Sequence, residues 1–168
     1  QSTPAPESNR LRKGFFYSLV KQREQATMHK LDGSCHCGNI KLELALAGAP
    51  DEYVPRACDC EFCRKHGASY VSDPGGSLVI RVRDEHRLHI YRQGSGTAEM
   101  LICADCGVLI GGAYRADGRI HAAINTRTLD GDVRFGESQS VSPKALSSDE
   151  KAARWGKIWF SDVHIITG

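Results

Sequence analysis

From Ile40 onward the chain alternates: Ile40, Leu42, Leu44 and Leu46 are apolar, while Lys41 and Glu43 are charged and Ala45 is small. A period of two predicts a strand with one buried face. Further strands are predicted at Leu78–Val82, Arg87–Tyr91, Ala98–Ile102, Val108–Tyr114 and Ile120–Asn125. Turn signals separate them at Asp73-Pro74-Gly75-Gly76, Gly94-Ser95-Gly96 and Ala116-Asp117-Gly118. The period changes only near the end. There Ser147-Ser148-Asp149-Glu150 offers a capping box, and Ala152, Trp155 and Trp159 follow at helical spacing. The pattern predicts a mainly β domain with a short C-terminal helix. Trp155 and Trp159 are read as core anchors, with ligand stacking as the alternative.

At 168 residues, 40% of them hydrophobic and 25% charged, the chain has room for one core and is too apolar to be disordered. No apolar stretch approaches the roughly 18 residues a membrane span needs. Residues 1–27 are polar, and the island Phe15-Phe16-Tyr17-Ser18-Leu19-Val20 is too short for a secretory core. They are expected to form a flexible N-terminal extension outside a domain over 28–168. Charge sharpens this division. The formal net charge is +2, yet the first 27 residues hold five basic and two acidic side chains, leaving 17 basic against 18 acidic in the rest. A body so close to neutral gives no electrostatic case for nucleic acid. Neither a nucleic-acid nor a membrane partner is expected.

Seven cysteines is an odd number, and the chain shows no secretory signal ahead of them. A disulfide scaffold is not expected. Reduced thiols and a cytoplasmic location are. The thiols fall in three groups. Cys35 and Cys37 stand at i and i+2, on one side of an extended chain. Cys103 and Cys106 leave a two-residue gap, followed by Gly107, which permits the positive φ a metal knuckle needs. These four thiolates would close a tetrahedral zinc with no position for substrate, a structural site. Cys58, Cys60 and Cys63 bring three thiols in six residues, and a zinc on three protein ligands keeps a position open, as a catalytic zinc requires. Other arrangements remain open: a redox Cys-x-x-Cys, one cluster of all seven, or two structural zincs with His36 or His66 completing the second. His86, His89, His121 and His164 are read as surface or core histidines. Asp59 and Glu61 flank the triad and are read as solvated, or as acceptors beside the ligands.

Three stretches, in order, carry a resemblance: Gly33-Ser34-Cys35-His36-Cys37-Gly38, then Cys58-Asp59-Cys60-Glu61-Phe62-Cys63-Arg64 with Gly67-Ala68, then Cys103-Ala104-Asp105-Cys106-Gly107. With the Asn-containing run Ile124–Asp130, the chain over roughly 29–135 resembles the glutathione-dependent formaldehyde-activating enzyme family, which includes centromere protein V. The resemblance implies a β-tent fold and two Zn2+ per chain. It assigns a structural zinc to Cys35, Cys37, Cys103 and Cys106, and a second, catalytic one to Cys58, Cys60 and Cys63. It also implies carbon–sulfur lyase chemistry, joining an aldehyde to a small thiol such as glutathione, in aldehyde detoxification. Asp59 departs from the family, which often has His there. Arg56, Arg64, Lys65 and Arg127 are candidates for holding the carboxylates of an anionic thiol. The rival expectation is a non-catalytic zinc-binding module that docks other proteins.

Overall fold

In the computed structural model, residues 28–168 are described; the expected N-terminal extension, with its apolar island, lies outside the described residues. The alternating run forms β2 (Ile40–Leu46), whose even positions are buried and whose Lys41 and Glu43 are exposed. It pairs antiparallel with β1 (His29–Ser34) on one side and with β5 (Ser77–Val82) on the other. A final strand, β11 (Asp162–Thr167), runs parallel to β5 and completes a four-stranded sheet of order β1-β2-β5-β11.

The larger sheet gathers β3 (Arg56–Cys58), β4 (Ser69–Val71), β6 (Leu88–Arg92), β7 (Glu99–Cys103), β8 (Leu109–Ala116), β9 (Arg119–Asn125) and β10 (Gln139–Val141). Its order is β10-β3-β4-β9-β8-β7-β6. The domain is mainly β, with the two-sheet layout and cysteine clusters expected of the β-tent fold. Each strand predicted from periodicity is present, within a residue or two of its expected ends. Arg87 closes a 3-10 turn, Glu85–Arg87, just ahead of β6. The strands β3, β4 and β10 have three residues each, too few to display an alternation.

Among the described residues, two α-helices accompany the sheets. The first, α1 (Glu61–Lys65), lies inside the middle cysteine motif. The second, α2 (Ser148–Ile158), begins with the predicted capping box: Ser147 Oγ accepts from Glu150 N at 3.3 Å, and Glu150 Oε2 accepts from Ser147 N at 2.8 Å. It is not the last element, because β11 follows it.

The larger sheet is buried on both faces, so β8 reads as an almost continuous buried run rather than an alternation. Leu101, Ile110, Ala122 and Ile124 pack with Ile40, Leu42, Leu78 and Ile80 of the smaller sheet. Each such leucine or isoleucine side chain contributes roughly 1.5–3 kcal/mol on burial. Met100, Leu109, Tyr114 and Ala123 point to the opposite face, where Trp155, Trp159, Tyr70 and Cys63 cover them. The result is three layers: small sheet, large sheet, then α2 with the cysteine helix α1.

Candidate functional site

The structure sorts the seven thiols into two groups on opposite faces of the large sheet. Cys35 and Cys103 belong to the core between the sheets, and Cys63 to the core beneath α2. In each group the sulfurs lie within 4.8 Å of one another. Neither group includes a histidine, so neither His36 nor His66 joins a cluster. His66 instead packs against the Phe62 ring at 4.6 Å.

Two hairpin turns build the four-thiol group. The turn between β1 and β2 folds back with Cys35 N donating to Ile40 O at 2.9 Å, and Gly38 takes φ +73°. The turn between β7 and β8 matches it: Gly107 N donates to Cys103 O at 2.9 Å, and Gly107 takes φ +72°. A side chain at either glycine would strain the turn. Cys37 Sγ stands 3.6 Å from Cys35 Sγ and 3.5 Å from Cys103 Sγ, 66 positions away in the chain. Four sulfurs at about 2.3 Å from a tetrahedral zinc would be about 3.8 Å apart, so the donor set fits that ion. Burial pushes Cys103 up to about 12. Burial would also raise Cys106, but the backbone N–H groups of Val108 and Cys37 and the neighbouring thiols bring it down to about 6. A thiolate thus stands ready among the four.

The three-thiol group is built by the chain leaving β3 and entering α1. Cys58 ends the strand, and Cys60 caps the helix, its Sγ accepting from Cys63 N at 3.4 Å. Cys63, on the first turn, is buried. The hydrogen bond from Cys63 lowers the Cys58 thiol to about 6, and the same contact, with burial, pushes Cys63 well up. Tyr70 Oη lies 3.2 Å from Cys63 Sγ, and burial, then the charge on that sulfur, hold the phenol above its ordinary range. Either atom can be the donor in this contact. The chemistry of this donor set also fits a soft divalent ion, with three protein ligands rather than four.

The two groups differ in what adjoins them. The three sulfurs open onto a cavity of about 320 Å³, whose lining includes Tyr70, Met100, Trp155 and Trp159; none of the other four cysteines borders it. Trp155 and Trp159 are buried and stack on each other at 4.6 Å, so they anchor the core and wall the cavity at once.

Of the four cations singled out in the sequence, only Arg56 lines this cavity. Arg64 and Arg127 are exposed elsewhere, and Lys65 pairs with Glu61 at 2.8 Å on the surface. The cavity's other cations are Lys144, Lys151 and Arg154. The helical period carried the signal for two of them, since Lys151 and Arg154 stand four and one positions before Trp155 on one side of α2. Arg56 donates to Ser72 Oγ, and Ser72 Oγ donates to Ile158 O at 2.6 Å, which ties β3 to the end of α2. Burial, and next the charge on Arg154, push Arg56 below its ordinary value. Two guanidiniums thus face one space. Asp59, where the family often has His, pairs with Lys144 at 3.1 Å and holds that lysine at the cavity. Neither Asp59 nor Glu61 lines it. Asn125, in the later matching run, is buried and structural: Nδ2 donates to Leu109 O at 3.0 Å, and Oδ1 accepts from Arg127 N at 3.3 Å.

The family model described as glutathione-dependent formaldehyde-activating enzyme matches residues 30–145, which include all seven cysteines. The chain belongs to that family. Among solved structures, a crystal structure of a Rhodobacter sphaeroides protein is similar, with 28% identity and a TM-score of 0.49, covering 66% of this chain and 100% of that one. No curated protein matches the chain. No helix among the described residues is long and apolar enough to cross a membrane. Family membership makes a formaldehyde-activating or related function the frame within which the cavity is read.

Proposed function

We propose that residues 28–168 form a zinc-dependent carbon–sulfur lyase acting on thiol–aldehyde adducts, similar to S-(hydroxymethyl)glutathione synthase. One observation carries the reading: the three-thiol group borders a cation-lined cavity and the four-thiol group does not. Cys35, Cys37, Cys103 and Cys106 would hold a structural zinc, and Cys58, Cys60 and Cys63 a catalytic one. Seven free thiols suit a reducing compartment, the cytoplasm.

In the forward direction the thiol sulfur forms a bond to the aldehyde carbon, the carbonyl π pair moves to oxygen, and that oxygen takes the proton the thiol gives up. The reverse breaks the carbon–sulfur bond and restores thiol and aldehyde. Cys58, Cys60 and Cys63 would hold the ion, which would supply affinity for a soft sulfur and the positive charge to keep it ionised near neutral pH. Tyr70 Oη, within hydrogen-bond distance of Cys63 Sγ, fixes that ligand's orientation. Arg56, Lys151 and Arg154 hold a carboxylate of the thiol and set where its sulfur lies. Most of the acceleration then comes from positioning two reactants in one space.

The test uses exchange at equilibrium, because the adduct also forms without a catalyst. With formaldehyde and a panel of thiols that includes glutathione, the protein should broaden the hydroxymethyl NMR signal, and Cys63→Ser should abolish the broadening. If no thiol and aldehyde pair gives enhancement with two zincs bound, the lyase reading fails and the non-catalytic binding module takes its place.

A further inference from the structure

Three cations reach the cavity without a carboxylate partner. Among the described residues, Lys144 pairs with Asp59, but Arg56, Lys151 and Arg154 take part in no ion pair. The only polar contact that fixes Lys151 is with Ser95 Oγ at 3.2 Å. No aspartate or glutamate among the described residues lines the cavity. A carboxylate entering this space meets three cations that form no ion pair with a carboxylate of the chain, whereas an ammonium group meets the same three as like charge.

Beside Gln93, Ser95, Lys144 and the three cysteines with Tyr70, much of the remaining lining is apolar. Met100, Ala98, Val141 and Pro143 line the cavity together with the stacked pair Trp155 and Trp159, whose rings are 17° from parallel. Gly112 keeps the floor open. A Cβ there would stand 3.4 Å from the Trp159 ring and 3.6 Å from Met100 Sδ, so any larger side chain would fill space that the cavity now offers. A dry cavity of about 150 Å³ takes a benzene ring. The volume here is about 320 Å³, enough for such a ring with a short acidic arm and a sulfur.

We propose that the thiol this cavity selects is an anionic one with a flat apolar body and no ammonium group, its carboxylate on Arg56, Lys151 and Arg154 and its ring against Trp155 and Trp159. The inference rests on the reading of the three-cysteine group as the place where the thiol sulfur binds. Glutathione, with its free ammonium and a backbone of amides, is then a poorer ligand than an aromatic mercapto acid.

The chain has two tryptophans, both in this wall, so their fluorescence reports occupancy directly. With the zinc-loaded full chain, 4-(mercaptomethyl)benzoate should quench at a Kd at least tenfold below those of glutathione, benzyl mercaptan and 2-aminoethanethiol. Arg154→Gln should remove about tenfold of the affinity for 4-(mercaptomethyl)benzoate and leave benzyl mercaptan unchanged. Gly112→Val should weaken both aromatic thiols. Glutathione binding as tightly as the aromatic acid, or equal losses for both aromatic thiols in Arg154→Gln, would overturn the proposal. The same samples separate it from the lyase reading. Accelerated glutathione–formaldehyde exchange with no preference for the aromatic acid sinks this inference alone. The predicted binding order with no exchange for any pair upholds it and sinks the lyase.

Discussion

Asp73 is a buried carboxylate that ties together the segments around Ala47, Tyr53 and Gly75. Its Oδ2 accepts from Tyr53 Oη at 2.6 Å and from Ala47 N at 2.7 Å, and its Oδ1 accepts from Gly75 N at 2.8 Å. Burial alone would raise its pKa; the hydrogen bond from Tyr53 and those from the backbone outweigh it and hold the group below the ordinary carboxylate range. A folded pKa below the unfolded one adds stability that is present above the unfolded value, near 3.9, and is lost as pH falls through the folded one. Melting temperature should therefore drop as pH is lowered below about 4, and Asp73→Asn should flatten part of that drop. The same substitution should cost about 1–3 kcal/mol at neutral pH, read by denaturant unfolding, because it weakens acceptors that buried donors need. Sequence marked Asp73 only as the start of a turn. Its partner Tyr53 lies 20 positions away and on no predicted element, so the pair was invisible before folding. The same limit explains the cations: Arg64 and Lys65 adjoin Cys63 in sequence, yet one turn of α1 carries them to the surface.

The helix α2 is legible as an element because it carries its own start signal and a repeating face. Ser147→Ala removes the cap and should cost about 1 kcal/mol, lowering the melting temperature by roughly 2–4 °C with zinc content unchanged. A larger loss, accompanied by loss of zinc, would mean that the helix roof holds the three-thiol group in place. β2 was legible for a similar reason, since one face is buried and one is wet. By contrast β3 and β4, which place Cys58 and Tyr70, have three residues each and exist only because neighbours pair with them. Strands this short have no period of their own.

Over the whole molecule, the four-thiol group links a turn of the small sheet to a turn of the large one, whereas the three-thiol group lies within one layer beneath α2. Freshly purified, reduced protein should contain two zincs per chain by elemental analysis. One zinc or none in folded protein would contradict the two-site assignment. Cys106→Ser should unfold or strongly destabilise the domain, since a closed zinc site contributes on the order of 10 kcal/mol to folding in small zinc domains. Cys60→Ser should leave the domain folded with one zinc fewer. Equal falls in melting temperature for the two variants would remove the distinction between a structural and a working site.

By itself the sequence determined the class of fold, the three groups of cysteines and the family, because each of these is written in short stretches: an alternation, a Cys-x-Cys-Gly, a Cys-x-x-Cys-Gly. Local periodicity and spacing survive whatever the chain does elsewhere. Tertiary structure alone decided which face each group occupies and what surrounds it. Arg56 comes from a strand edge, Gln93 and Ser95 from a hairpin tip, Lys144 from a turn, and Lys151, Arg154 and Trp155 from a late helix, and they line one cavity only because the large sheet is covered on both sides. A cavity is a property of packed surfaces from distant segments, and no local pattern encodes it.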